Sequence, residues 1–104
     1  MKEANITYSD GEMQVRLCCE IDHHTAKIIR EEVDRELLLR RPEKLILDFS
    51  GVSFMDSSGI GLILGRVNKA DEICADIVIR SLSPTLKRIV KMSGIERLPQ
   101  IKIV

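Results

Sequence analysis

From residue 13 to residue 21 the chain alternates. Met13, Val15, Leu17, Cys19 and Ile21 fall on one side, and Gln14, Arg16, Cys18 and Glu20 fall on the other. A period of two is the pattern of a strand with one face on a core, so this stretch is predicted as a half-buried strand. Asp10-Gly11, just before it, suits a two-residue hairpin turn, which makes residues 5–8 its antiparallel partner. After Asp22 the period changes. Apolar residues recur at Ala26, Ile29, Val33 and Leu37, with Lys27, Arg30, Glu31, Asp34 and Arg35 between them. That spacing predicts an amphipathic helix, ended near Pro42.

Residues 45–49 form a short apolar run, read as a buried strand, and Ser50-Gly51 opens the connection to a second helix over residues 58–70. In that helix Ile60, Ile63, Leu64 and Val67 are predicted as the core face. Gly61 and Gly65, four apart, are predicted to let it lie close on the sheet. Residues 77–79 make another apolar strand. Ser83-Pro84 is a helix start, because Ser can cap free amides while Pro at the first helical position lacks the donor that would go unpaired. Leu86, Ile89 and Val90 supply its buried stripe, Gly94 closes it with Ile95 packing back, and residues 101–104 form a last strand. A hairpin followed by alternating helices and strands predicts a single α/β domain over residues 1–104, its mixed sheet covered by helices and its later strands parallel.

Composition narrows the partners. Sixteen Lys plus Arg balance sixteen Asp plus Glu, so no long-range field draws the 104-residue chain to nucleic acid or an anionic membrane. One Tyr, two Phe and no Trp leave little for a base-stacking platform. No apolar run approaches the roughly 20 residues that cross a bilayer. The N-terminus also lacks the apolar middle of a signal peptide, so a cytoplasmic location is expected. Three cysteines, Cys18, Cys19 and Cys74, cannot all pair within one chain, which fits a reducing compartment.

Candidate chemistry concentrates in LILDFSGVSFMDSSGIGLILGR, where a buried strand runs through a polar turn into a glycine-containing helix. Asp56-Ser57-Ser58-Gly59 occupies the turn, beside the free amides and positive dipole end of the helix. A phosphate there would find stabilising donors within the domain. Taken alone, Ser57 or Ser58 is read more simply as the helix cap. Gly59 and Gly61 would let another protein's backbone approach the turn.

FMDSSGIGLILGR resembles the signature of STAS-domain anti-sigma factor antagonists. EIDHHTA, SLSPTLKRIVKMSGI and the initial hairpin fall in the same order, so the resemblance covers nearly the whole chain. It implies a binding module rather than an enzyme, with no cofactor. The second Ser of the turn, Ser58, would be phosphorylated by a partner that is both an anti-sigma factor and a serine kinase. The unphosphorylated antagonist would bind that partner and release the sigma factor; phosphorylation would end binding until a serine phosphatase restores it. The implied contact surface includes Asp22, before the first helix, together with Asp56, Ser57, Ser58, Gly59, Ile60 and Gly61. Asp22 is also suited to cap that helix, and His23 and His24 are expected to be solvated.

Two departures from the family pattern stand out: Cys19 replaces a common Gly, and Cys74-Ala75 replaces a glycine turn. The chain also ends soon after its last strand, which would leave one face of the sheet open for weak self-association. Cys18, Cys19, His23 and His24 cluster in sequence, yet neighbouring strand residues point apart and no C-x-x-C occurs, so no metal site is expected. DSSG is not the G-x-S-x-G of a hydrolase. Gly59, Gly61 and Gly65 miss both nucleotide-binding fingerprints, although a helix start after a strand attracts phosphates and keeps a nucleotide or small-ligand sensor as the alternative.

Overall fold

The computed structural model describes residues 2–104. Strands β1 (Ala4–Ser9) and β2 (Glu12–Leu17) pair antiparallel through Asp10 and Gly11, whose φ angles of 52° and 78° are the two positive values such a turn requires. There follow α1 (His23–Arg40), β3 (Lys44–Asp48), α2 (Ser57–Glu72), β4 (Asp76–Arg80), α3 (Pro84–Ser93), a 3-10 turn (Ile95–Arg97) and β5 (Ile101–Ile103). The five strands lie in chain order, with β2 to β5 mutually parallel. Right-handed crossovers that step each time to the next strand put all three helices on one face. The mixed α/β sheet expected from the sequence is the one observed.

Register explains the core. Met13, Leu45 and Ile77 stand side by side across the sheet, as do Val15, Leu47 and Ile79, and all six are buried beneath Ile29, Val33, Ile63 and Val67. The alternate residues form the opposite face, where Arg16, Asp48 and Arg80 share one row and Gln14, Ile46, Val78 and Lys102 another. Asp48 accepts from the Ser50 amide at 2.8 Å and pairs with Arg80 at 3.4 Å. Burial pushes its carboxyl upward, but these donors outweigh burial and leave it below its ordinary range.

Local signals placed α1 and α3 well. Arg41 takes the left-handed conformation after α1, before Pro42. The Ser83 hydroxyl caps α3 by accepting from the Leu86 amide at 3.2 Å, and Gly94, with φ 79°, ends it against buried Ile95. Cys74, at the turn where the resemblance led one to expect glycine, does hold a left-handed φ of 59°.

The β2 expectation needs correcting: the strand ends at Leu17, not at residue 21. Gly51 crosses that end so closely that a Cβ there would stand 2.6 Å from the Leu17 carbonyl oxygen. Ile21 is buried for another reason, a single parallel bridge to Met55.

Candidate functional site: two helix starts joined by one bridge

The Ile21–Met55 bridge organises the site. The Ile21 amide donates to the Phe54 carbonyl at 2.9 Å, and the Asp56 amide donates to the Ile21 carbonyl at 3.1 Å. The next residue after each bridge partner is an aspartate that caps a helix, so the starts of α1 and α2 are held side by side. At α1, Asp22 accepts from the Thr25 amide at 2.9 Å. The Thr25 hydroxyl in turn accepts from the Asp22 amide at 3.0 Å and donates to the Glu20 carbonyl at 2.8 Å, completing a capping box. The Thr25 amide is the main reason the Asp22 carboxyl lies below its ordinary range. His23 and His24 are exposed, as expected.

At α2 the cap is Asp56, not Ser57 or Ser58. Its φ of −95° and ψ of −168° are extended, and its carboxylate accepts from the Ser58 amide at 2.8 Å. The cap thus falls one residue before Ser57 and two before Ser58, the residues to which the simple reading of the sequence gives it, and α2 begins at Ser57. This relieves both serines of capping: neither hydroxyl has a hydrogen-bond partner among the described residues. Ser57 is exposed. Ser58 is half-buried on the wall of an open groove of about 270 Å3, whose other wall is His23, Ala26, Lys27 and Arg30 of α1 and whose floor includes Gly61 and Leu62.

The glycines divide differently from expectation. A Cβ on Gly59 would run into the buried Met55 side chain, so Gly59 packs inward against the bridge and is not open to a visiting backbone. At Gly61 and Gly65 a Cβ would meet nothing within 4 Å, so these two glycines do not bring the helix close to the sheet. The buried stripe of α2 is Gly59, Leu62, Ile63, Arg66, Val67 and Ala70, while Leu64 is 41% exposed and Ile60 half-buried. Predicted and observed faces both keep three-and-four spacing, and the observed one is rotated by about one residue because it takes in Gly59 and Arg66, which a reading by apolar side chains leaves out.

Arg66 is the residue that sequence reasoning passes over. It is only 3% exposed and reaches Asp34 of α1, with Nε 2.9 Å from Oδ1 and Nη2 donating to Oδ2 at 3.2 Å. The 2.9 Å approach is a charge contact without hydrogen-bond alignment, and Nη1 has no partner among the described residues. Burial lowers the guanidinium's proton affinity, Asp34 opposes that, and nearby Arg30 adds to it. Cys19 also lies close to the bridge, and burial is the main cause that raises its thiol above the ordinary range, which disfavours the reactive thiolate.

The fold that carries this site has known counterparts. The STAS domain pattern matches residues 3–103. The chain belongs to the STAS domain family. Among its STAS relatives, the anti-sigma F factor antagonist of Paenibacillus polymyxa is 34% identical over 91 residues, covering 88% of this chain and 78% of that protein. The anti-sigma-B factor antagonist of Listeria monocytogenes is 30% identical over 87 residues, covering 82% and 74%. Among solved STAS structures, unphosphorylated SpoIIAA superposes with a TM-score of 0.82 at 27% identity, covering 97% of this chain and 87% of that one. The phosphorylated form of SpoIIAA, a Bacillus cell-fate determinant, gives 0.74 at 27% identity, with 97% and 90% covered. Among the described residues of this STAS domain, no helix is long and apolar enough to cross a membrane.

Proposed function

We propose that this STAS domain is an anti-sigma factor antagonist that works by partner switching, with Ser58 as the phosphorylated residue. The observation that carries this reading is the free Ser58 hydroxyl, released from capping by Asp56 and set on an open groove at the start of α2. The partner is an anti-sigma factor that is also a serine kinase. Asp22, Asp56, Ser57, Ser58, Ile60 and Gly61 form the contact face, and Gly59 serves it from behind by seating Met55. In the transfer, the Ser58 oxygen bonds to the γ-phosphorus of ATP as the bond to ADP breaks, and the hydroxyl proton leaves to a base of the kinase. Ser58 is therefore a substrate. The domain itself catalyses nothing, needs no cofactor and acts in the cytoplasm, where a serine phosphatase resets it.

A dianion at the start of α2 meets the positive end of the helix, so the fold tolerates it while the contact face, which already holds Asp22 and Asp56, becomes more strongly negative. Mass spectrometry after incubation with ATP and the cognate anti-sigma kinase tests the assignment. One phosphate on Ser58 is expected, with none on the Ser58→Ala protein, which keeps its binding to the anti-sigma factor. Ser58→Asp weakens that binding in part, since one carboxylate carries less charge than a phosphate. Stoichiometric modification of the Ser58→Ala protein at another residue would remove Ser58 from the role.

A further inference from the structure

The groove beside Ser58 has a basic wall, and that wall is supplied by a different helix. His23, Lys27 and Arg30 recur every three or four residues, so they project from one side of α1, and all three line the groove that Ser58 lines from α2. Basic side chains on an exposed helix ordinarily pair with a carboxylate one turn on, which here would be Glu31 for Lys27 and Asp34 for Arg30. Neither pair forms. Asp34 has turned across the helix interface to Arg66, at 2.9 Å and 3.2 Å, and among the described residues Lys27 and Arg30 make no ion pair. The buried Arg66 thereby draws off the carboxylate that would have neutralised Arg30. Arg30 lines the groove without a carboxylate partner, while Asp34 faces a separate cavity between α1 and α2.

The geometry points to an internal clamp: the phosphate of phospho-Ser58 is held by Lys27 and Arg30 of α1, bridging the two helix starts. This rests on Ser58 being the phosphorylated residue, and it adds what the phosphate binds within the domain. Before modification, the groove offers an acidic segment of the partner two unpaired cations. After modification, those cations face the phosphate, and the patch, in which Lys27 and Arg30 had balanced Asp22 and Asp56, turns net negative. The switch is then a removal of attraction as well as an added repulsion. Both cations are exposed, so each contact is screened by water and the pairing is modest.

The test uses the full chain with phosphoserine placed at position 58 during translation, which bypasses any kinase. Phosphorus NMR follows the second ionisation of the phosphate. The charged groups around it are His23, Lys27 and Arg30 from α1, Asp22 at the cap of α1 and Asp56 from its own turn. Free phosphoserine titrates near pH 6, and the clamp is expected to lower this by about half a unit or more. Lys27→Ala with Arg30→Ala should abolish most of that shift, as should high salt, whereas Arg35→Ala, which removes an exposed cation elsewhere on α1, should not. An unshifted or raised value, no response to the double substitution, or an equal response to Arg35→Ala would overturn the clamp. Failure of every kinase to modify Ser58 would instead defeat the proposed function and leave this titration standing.

Discussion

The starts of α1 and α2 are built alike and differ in one hydroxyl. Each is capped by an aspartate directly after a residue of the Ile21–Met55 bridge, and each carries a hydroxyl residue in its first turn. At α1 that hydroxyl is fully committed: Thr25 accepts from the Asp22 amide and donates to the Glu20 carbonyl. At α2 the Ser58 hydroxyl makes no such bonds, because Asp56 reaches the Ser58 backbone and the residue completing a box would be Gly59. A kinase must align an oxygen whose proton is free to leave. Two neighbouring turns with the same cap therefore differ in fitness as substrates, and the difference lies in hydrogen bonding rather than in residue type.

The largest expected effect breaks the bridge that makes the two turns comparable. Gly59→Ala places a methyl in the space of the buried Met55 side chain, and overpacking of this kind costs about 1–3 kcal/mol. Part of this is offset by the better helix propensity of Ala, by up to about 1 kcal/mol. Chemical denaturation should show a net loss, whereas Gly61→Ala, with open space at its Cβ, should be neutral or stabilising. A stabilised Gly59→Ala protein would mean that Met55 moves aside freely and that the bridge does not fix the turn.

Removing one cap should have the next largest effect. Asp56→Ala leaves the Ser58 amide without its acceptor, at a cost of about 1 kcal/mol in stability by denaturation. Ser57→Ala, which loses no hydrogen bond within the described residues, should change little. Equal losses for the two would mean that the cap is shared, and the contrast between Thr25 and Ser58 would fail.

Much of the fold was legible because its signals are local. Asp10-Gly11, the Ser83-Pro84 start and Gly94 each dictate a backbone conformation by themselves, and the structure realises all three. What was hidden depends on parts of the chain that are distant in sequence. The alternation through Ile21 looks like one strand because Ile21 is indeed buried in the core, but its backbone pairs with Met55, some thirty residues away, rather than continuing β2. Gly61 and Gly65 look like a packing stripe, and only the path of Met55 reveals that Gly59 is the glycine that matters for packing. Arg66 could have been found: positions 59, 62, 63, 66, 67 and 70 form a strict helical stripe, and a charge within it calls for a buried partner. The turn itself was plain in the sequence, whereas the identity of its cap was not, since Asp, Ser and Ser in succession all cap well.

The smallest expected effect sharpens the comparison from the α1 side. Thr25→Ala keeps the amide that holds the Asp22 carboxylate but removes the hydroxyl, which also donates to that carboxylate at 3.2 Å, so the Asp22 carboxyl should rise part of the way toward its ordinary value. A carboxyl whose folded-state proton affinity is depressed contributes stability that is present above its unfolded pKa and is lost as pH falls through the folded one. The wild-type contribution is therefore complete at neutral pH and fades in acid, below about pH 4, where free aspartate titrates. Thr25→Ala should be less stable than wild type at pH 7, and the part of the gap that comes from Asp22 should close as the carboxyl protonates. NMR titration of the Asp22 side chain with melting curves at both ends of that range checks it. If neither the Asp22 titration nor the stability at pH 7 is moved by Thr25→Ala, the hydroxyl is idle at both helix starts, and hydrogen bonding no longer explains why Ser58 rather than Thr25 is the oxygen left free.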